Sequence, residues 1–267
     1  MKSTADLRIA LVKLGGSVVT DKTSLRSFSR THTARLVSEL RRFLEGDDRR
    51  RAVIVHGGGS FGHIVARRYR IAEGFRDQRQ LRGFSVVRRD MRMLNAMIVE
   101  TMMSGKLPAI SMPPESIFRI DMGRIVHTDA EPLRYAVSAG LIPVSFGDAV
   151  MDAGRTFSIL SGDTIMEFLS RELKPEVTVF CTDVDGVFTS NPKHGSNVEL
   201  IDELSSSESV STDNDSRFDV TGGMSRKLEA LFVSSSFSGR TVVVNGLRPG
   251  RLRDALLGKK VICTRIV

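Results

Sequence analysis

The chain has 267 residues, of which 41% are hydrophobic, and carries a formal net charge of +8, which suits one large α/β domain or two small ones. No apolar run approaches the roughly 20 residues that span a bilayer, and the N-terminal segment lacks a signal-peptide cleavage pattern, so we expect a cytoplasmic protein. Cys181 and Cys263 lie far apart in apolar runs, which predicts buried, reduced thiols.

Apolar, strand-like runs alternate with helical patterns along the whole chain. The first part predicts strands over 8–14, 51–56 and 107–112, and helices over 33–46, from about 60, and from about 80 to 103. The remainder predicts hairpins turning at 121–123 and 152–154, helices over 130–140, 166–173 and 222–239, strands over 141–148, 176–186 and 241–246, and a closing helix and strand. The serine-rich stretch 190–216 predicts a surface excursion. This alternation favours a mostly parallel sheet covered on both faces, with ligands at the carboxyl ends of its strands.

Arginine is concentrated in the first third of the chain, and a basic surface of this kind can attract nucleic acid, anionic lipid or phosphorylated small molecules. The arginines fall between apolar residues at helical spacing, which is typical of a solvated helix face. Neither aromatic interleaving nor a nucleic-acid motif accompanies them. We therefore expect no nucleic-acid partner and no membrane partner.

The second predicted strand runs into "VHGGGSFGHIV", where Gly57, Gly59 and Gly62 form the pattern G-x-G-x-x-G. A dinucleotide-binding unit would continue with a second strand and an acidic residue about 20 positions later, but residues 66–84 contain no strand-like run. The loop still predicts an anion site, because glycine amides and the positive end of the following helix point the same way. His63, in the first turn of that helix, either donates to a phosphate oxygen or is simply exposed.

Three further motifs follow the same logic. "KLGGS" at 13–17 ends the first strand, with Lys22 shortly after, and "GGMSRK" places Gly223 at a helix start with Lys227 one turn on. "TDVDGVF" at 182–188 puts two carboxylates and a glycine at a strand end, as either a turn or a metal site. Glycine loops and lysines without a nucleophile–base pair indicate phosphoryl transfer by positioning and charge neutralisation.

The ordered motifs K-x-G-G-S, G-G-G, S-G-D, T-D-V-D-G and D-V-T-G-G-M-x-x-K resemble those of the amino acid kinase family over essentially the whole chain. "HGGGSFGH", with its terminal histidine, is similar to the archaeal-type branch that phosphorylates isopentenyl phosphate. Fosfomycin-phosphorylating kinases are the nearest branch with a different substrate. A non-catalytic nucleotide sensor or a basic RNA-binding protein on the same fold is a third possibility.

The resemblance implies an open αβα sandwich, the carbamate kinase-like fold, with a phosphoryl-acceptor lobe over 1–170 and a nucleotide lobe over 171–267 on one continuous sheet. It implies a homodimeric enzyme of isoprenoid biosynthesis, in the alternative mevalonate pathway, that converts isopentenyl phosphate to isopentenyl diphosphate with ATP and Mg²⁺. No general base is needed, because the attacking phosphate oxygen is already ionised at pH 7. We therefore expect direct in-line transfer, with no metal held by protein ligands alone.

The resemblance also implies individual roles. Lys13 would neutralise the transferring phosphoryl group, assisted by Lys22 and Lys227. His63 would hold the acceptor phosphate. The rest of the acceptor site would comprise Gly57, Gly58, Gly147, Phe84 and Val87, although the last two also fit a plain core stripe. ATP would contact Lys13, Gly15, Gly16, Ser17, Gly59, Asp183, Asp185, Gly186, Gly223 and Lys227. Asp163 would either orient a lysine or cap the helix that follows it.

Overall fold

The computed structural model describes residues 6–21, 24–190, 198–206 and 223–267. An eight-stranded sheet lies at its centre. The strands of the described segments, in chain order, are β1 Arg8–Leu14, β2 Thr20–Asp21, β3 Ser27–Phe28, β4 Arg50–His56, β5 Ala109–Ser111, β6 Phe118–Asp121, β7 Arg124–Thr128, β8 Ile142–Phe146, β9 Asp148–Asp152, β10 Thr156–Leu160, β11 Val177–Thr182, β12 Glu203–Leu204, β13 Thr241–Asn245 and β14 Cys263–Ile266.

The sheet has the order β12-β14-β13-β11-β1-β4-β8-β5. Neighbouring strands are parallel, except that β13 and β14 are antiparallel. The pairs β2–β3, β6–β7 and β9–β10 form separate two-stranded ribbons. The mostly parallel sheet expected from the alternating pattern is therefore confirmed, and both predicted hairpins are present.

Helices cover both faces of this sheet. Their bounds are α1 Gly16–Val19, α2 Arg30–Leu44, α3 Gly59–Arg68, α4 Gln78–Ser104, α5 Glu131–Ser138, α6 Gly162–Leu173, α7 Gly223–Phe237 and α8 Arg251–Leu256. Alternate residues of β1 supply the two cores: Ala10 and Val12 pack with α2, α3, α4 and α8, whereas Ile9 and Leu11 pack with α5, α6 and α7. Burial on both faces explains why β1 reads as a continuous apolar run.

Some element bounds and assignments differ from the predictions. The strand predicted over 107–112 is only three residues long, and the helix predicted from 166 begins at Gly162 because Ser161 caps it there. The serine-rich stretch is not only a surface excursion, since Leu204 of β12 is buried at the edge of the sheet. Residues 191–197 and 207–216 of that stretch lie outside the described residues.

Both cysteines are free, with Cys181 buried in β11 and Cys263 only half-buried in β14. Burial raises the pKa of the Cys181 thiol to about 12, so it stays protonated. Among the helices of the described segments, none combines the length and the apolarity needed to cross a membrane.

Candidate active site

The candidate site lies where five parallel strands end at one edge of the sheet. After four of these strands the first loop amide donates to the last or next-to-last residue of a neighbouring strand, which holds the loops in register. The four bonds are Gly15 N to Cys181 O at 2.9 Å, Gly57 N to Leu14 O at 3.0 Å, Gly147 N to His56 O at 3.1 Å and Gly246 N to Thr182 O at 2.8 Å. Parallel pairing thus brings together loops that are up to 231 positions apart in sequence, from Gly15 to Gly246.

The two glycine loops after β1 and β4 contact each other through their backbones. A Cβ added to Gly57 would lie 2.8 Å from the amide nitrogen of Gly16, and one added to Gly16 would overlap the backbone of Gly59. Thr20 joins the loops, since its hydroxyl donates to Gly16 O at 2.7 Å and accepts from Ser60 N at 3.1 Å. Phe61 N and Gly62 N donate to Gly58 O at 3.0 and 3.2 Å, so the start of α3 would favour an anion mainly through the positive end of its dipole.

Position 59 also requires a glycine. Its φ is +47°, a left-handed conformation that side chains rarely adopt, and an added Cβ would overlap Thr20. The turn from β4 into α3 therefore depends on glycine for conformation as well as for space.

Lys13 at the end of β1 forms an ion pair with Asp163 in the first turn of α6, and the two side chains are only 12% and 17% exposed. Burial lowers the pKa of Lys13, the Asp163 carboxylate opposes that effect, and the charge of Lys227 lowers it further. Lys227 itself is exposed on α7. Two lysines that the sequence separates by more than 200 residues therefore share one electrostatic environment.

The role that sequence left open for Asp163 is now defined. Ser161 is the N-cap of α6, and its hydroxyl accepts from Thr164 N at 3.1 Å. The Asp163 carboxylate instead contacts the Lys13 ammonium, so it orients the lysine rather than capping the helix.

The carboxylates of the D-x-D-G motif are engaged by protein donors. Ser17 donates to Asp183 Oδ1 at 2.9 Å, while Asp185 Oδ1 accepts from Asn245 at 2.8 Å and from Arg251 at 2.7 Å. Burial tends to raise the pKa of Asp185, but the Asn245 and Arg251 hydrogen bonds outweigh it and the pKa is lowered. These hydrogen bonds hold the motif as a turn at the end of β11. The described part of the chain holds no cluster of three metal-binding side chains.

Gly186 follows this turn and packs against Thr264 of β14. Gly223 is the first residue of α7. Lys22 lies outside the described residues. Sequence reasoning missed Asn245 and Arg251, because nothing in their local pattern indicates that they reach Asp185.

On the acceptor side, α3 begins at Gly59, so His63 lies in the second turn rather than the first, with an exposed side chain. Phe84 of α4 is half-buried and stacks on Phe157 of β10 with ring centroids 5.1 Å apart. Val87 is fully buried in the core, one turn further along α4. Of the two residues expected to form an apolar wall, only Phe84 has accessible surface of any size.

Gly58 lies beneath Met91 of α4, whose sulfur would be 3.2 Å from an added Cβ. Gly147 follows β8 and has no room for a side chain, since an added Cβ would lie 2.9 Å from Gly162 N. These contacts connect the β4 and β8 loops to the helices that flank them.

His56, which sequence reasoning passed over, fixes the end of β4 beneath the glycine loop. Its ring is fully buried and stacks on Phe146 with centroids 5.2 Å apart, and burial lowers its pKa to about 4. Nδ1 donates to Gly57 O at 3.1 Å and Nε2 accepts from Asn95 Nδ2 at 3.2 Å. The neutral tautomer therefore satisfies both ring nitrogens and needs no counter-charge.

Comparison with known proteins adds an independent line of evidence. The model of the amino acid kinase family matches residues 8–245. The isopentenyl phosphate kinase of Methanothermobacter thermautotrophicus is 36% identical, over 96% of this chain and 98% of the relative, and that of Thermoplasma acidophilum is 36% identical over 94% and 96%.

The solved structures agree with the sequence relatives. An X-ray structure of isopentenyl phosphate kinase superposes with a TM-score of 0.83 at 33% identity, over 97% of this chain and 100% of that one. The T. acidophilum product complex gives a TM-score of 0.79 at 32% identity, over 97% and 100%. UMP kinase from Ureaplasma parvum, at 15% identity and a TM-score of 0.68, shares the fold.

Proposed function

This chain belongs to the amino acid kinase family, and from that premise we propose that it is a kinase that uses ATP to phosphorylate isopentenyl phosphate to isopentenyl diphosphate. The observation that carries the proposal is the buried Lys13–Asp163 pair beside two glycine loops in backbone contact, one of which leads to His63. Full-length similarity to isopentenyl phosphate kinases from two organisms supports the choice of acceptor.

We assign the acceptor to the lobe formed by residues 1–170 and ATP to the lobe formed by 171–267. Gly57, Gly58 and His63 would bind the acceptor phosphate, with Gly147 behind it and Phe84 towards the five-carbon tail, and Gly59 would contact ATP. Gly15, Gly16 and Ser17 would line the ATP phosphates, and the two glycines are needed there because the backbones of Cys181 and Gly59 occupy the space of a Cβ. Asp183, Asp185, Gly186, Gly223 and Lys227 would surround the nucleotide.

The chemistry follows from charge. A non-bridging oxygen of the acceptor phosphate attacks the γ-phosphorus of ATP while the bond to the ADP oxygen breaks, so no proton must be removed. The difficulty is repulsion between two polyanions in a partly buried site, and Lys13 would lie between them as a protonated ammonium. Asp163 orients that ammonium and opposes the loss of its proton through burial.

Mg²⁺ would reduce the charge on the ATP phosphates when bound. In the part of the chain that the structure describes, no cluster of three His, Cys, Asp or Glu side chains could hold a metal ion. A magnesium ion that is ligated mainly by phosphate oxygens and water fits this donor set.

The alternative acceptor, fosfomycin, is not favoured, since the full-length relatives are isopentenyl phosphate kinases. A coupled assay of ADP release with isopentenyl phosphate and fosfomycin, side by side, tests the proposal. We expect kcat/KM for isopentenyl phosphate to be at least 100-fold higher. A higher value for fosfomycin, or turnover of neither acceptor, would contradict it.

We also infer from the family resemblance a homodimer that works in the cytoplasm. Light scattering coupled to size-exclusion chromatography tests the oligomeric state, with a mass near twice that of the chain expected. Fractionation of the source cells tests the compartment.

A further inference from the structure

We propose that Asp148 and Arg92 are positioning residues for the acceptor, because their ion pair holds helix α4 against strand β9 and thereby sets the acceptor side of the site. The inference rests on the proposed function, since it concerns the binding of isopentenyl phosphate. Neither residue has a role predicted from the sequence.

The Asp148 carboxylate is enclosed and fully paired. Its side chain has no exposed surface, Oδ2 accepts from Arg92 Nη1 at 2.7 Å, and Oδ1 accepts from Ala149 N at 2.8 Å. Asp148 follows Gly147 directly, and the Gly147 amide donates to His56 O at 3.1 Å, next to the glycine loop. Asp148 of the ion pair is therefore the next residue in the chain after Gly147, which closes the acceptor site in the proposed function.

The arginine side of the pair reaches the same loop by a second route. Arg92 neighbours Met91 on α4, and Met91 Sδ packs against the β4 loop, 3.2 Å from a Cβ placed on Gly58 and 3.0 Å from one placed on Gly62. A Cβ at either glycine would therefore be crowded by Met91, which forms a wall of the glycine loop, and a shift of α4 moves that wall. The pair thus links the two loops that contact the acceptor phosphate in the proposed function.

A second ion pair, one turn earlier on α4, attaches this helix to β9 at a second point. Arg88 binds Glu115 through both guanidinium nitrogens, and Glu115 Oε1 also accepts from Met151 N at 2.8 Å, near the other end of β9. Arg92 Nη2 lies 3.9 Å from Glu115 Oε2 and so bridges the two pairs. Two arginines four residues apart on α4 therefore hold both ends of one strand.

Fold stability does not account for the negative charge at this position. Burial raises the pKa of Asp148 to about 7, although Arg92 and Arg88 of α4 oppose it, with Glu115 beyond them. At pH values between the usual carboxyl pKa and about 7, the folded chain holds a proton on Asp148 that the unfolded chain has lost. The free energy of unfolding therefore falls as pH rises through this range. An asparagine would remove the charge but keep only one of the two hydrogen bonds, because its amide nitrogen cannot accept from Arg92 Nη1 or Ala149 N.

The test is Asp148→Asn, measured with isopentenyl phosphate and ATP at pH 8. We expect the KM for isopentenyl phosphate to rise about tenfold or more and the KM for ATP to stay within twofold, with a circular dichroism spectrum like that of the wild type. Arg92→Gln should shift the acceptor KM in the same direction. Arg265→Gln is the control, because it breaks an exposed pair with Glu203 at the far edge of the sheet, and both KM values should be unchanged.

The pH profile gives a readout that a purely structural role would not move. In the wild-type enzyme the acceptor KM should fall between pH 6 and 8 as Asp148 ionises, and this part of the profile should be absent in Asp148→Asn. The ionisation of the acceptor phosphate is common to both proteins, so comparison removes it.

The outcomes separate the two proposals. If the wild-type protein does not turn over isopentenyl phosphate, the proposed function fails and this inference with it. If the wild-type protein does, and Asp148→Asn has an unchanged acceptor KM, the positioning role is overturned and the function stands. If Asp148→Asn does not fold, Arg92→Gln decides: a raised acceptor KM with an unchanged ATP KM supports the role, and an unchanged acceptor KM overturns it.

Discussion

Substitution of Gly57 by alanine tests whether the contact between the two glycine loops is needed for catalysis. The new Cβ would lie 2.8 Å from Gly16 N and 3.3 Å from Gly16 Cα, whereas ordinary contacts begin near 3.4 Å. Both atoms belong to the backbone and cannot rotate away, so the loops must separate by about 0.6 Å, the shortfall of the closer contact from 3.4 Å.

The magnitude follows from that separation. Active sites need their groups within about 0.5 Å of the productive geometry, and a misplacement of about 1 Å can reduce the rate about 100-fold. We therefore expect kcat for isopentenyl phosphate to fall by about tenfold or more in Gly57→Ala. Overpacking of this kind also lowers the free energy of unfolding by about 1–3 kcal/mol.

The assay is steady-state ADP release together with thermal unfolding, and Gly140→Ala is the matched control. Gly140 has φ +85° with nothing within 4 Å of an added Cβ, so its alanine variant suffers left-handed strain of about 1–2 kcal/mol without touching the site. Its kcat should equal that of the wild type. Retention of full kcat by Gly57→Ala, or an equal loss in Gly140→Ala, would refute the reasoning.

Three further predictions concern ionisable groups. His63→Ala should lower kcat/KM for isopentenyl phosphate about 10- to 100-fold, the range for a hydrogen bond to a charged group, with an unchanged circular dichroism spectrum because the side chain is exposed. Asp163→Asn should leave Lys13 without its counter-charge, which lowers kcat and destabilises by about 3 kcal/mol; an unchanged melting temperature would count against the pair. His56 has a pKa lowered to about 4, so the unfolded chain takes up a proton first on acidification, and the stability that this residue contributes at pH 8 should drop by about 2 kcal/mol at pH 5. Urea unfolding at both pH values, with His56→Gln as the comparison, checks this sign and size.

The sequence by itself determined the elements and the nature of the site. The alternation of apolar runs and helical periods is a local property, so β1 was predicted with its observed bounds and the helix over 80–103 lies within α4. Glycine loops at strand ends are also local signals, because the positive end of a helix that begins in such a loop favours an anion. From these loops and their order came the family and the class of reaction.

Only the tertiary structure decided which side chains meet and which are buried. The Lys13–Asp163 pair joins residues 150 positions apart, and Val87 and Phe84, which share one helical stripe, differ in exposure because only Phe84 reaches the edge of the core. His56 and Asp148 carry no local signal of their shifted pKa values. Those shifts arise from desolvation and from partners on other elements, and both depend on packing between segments that are distant in the chain.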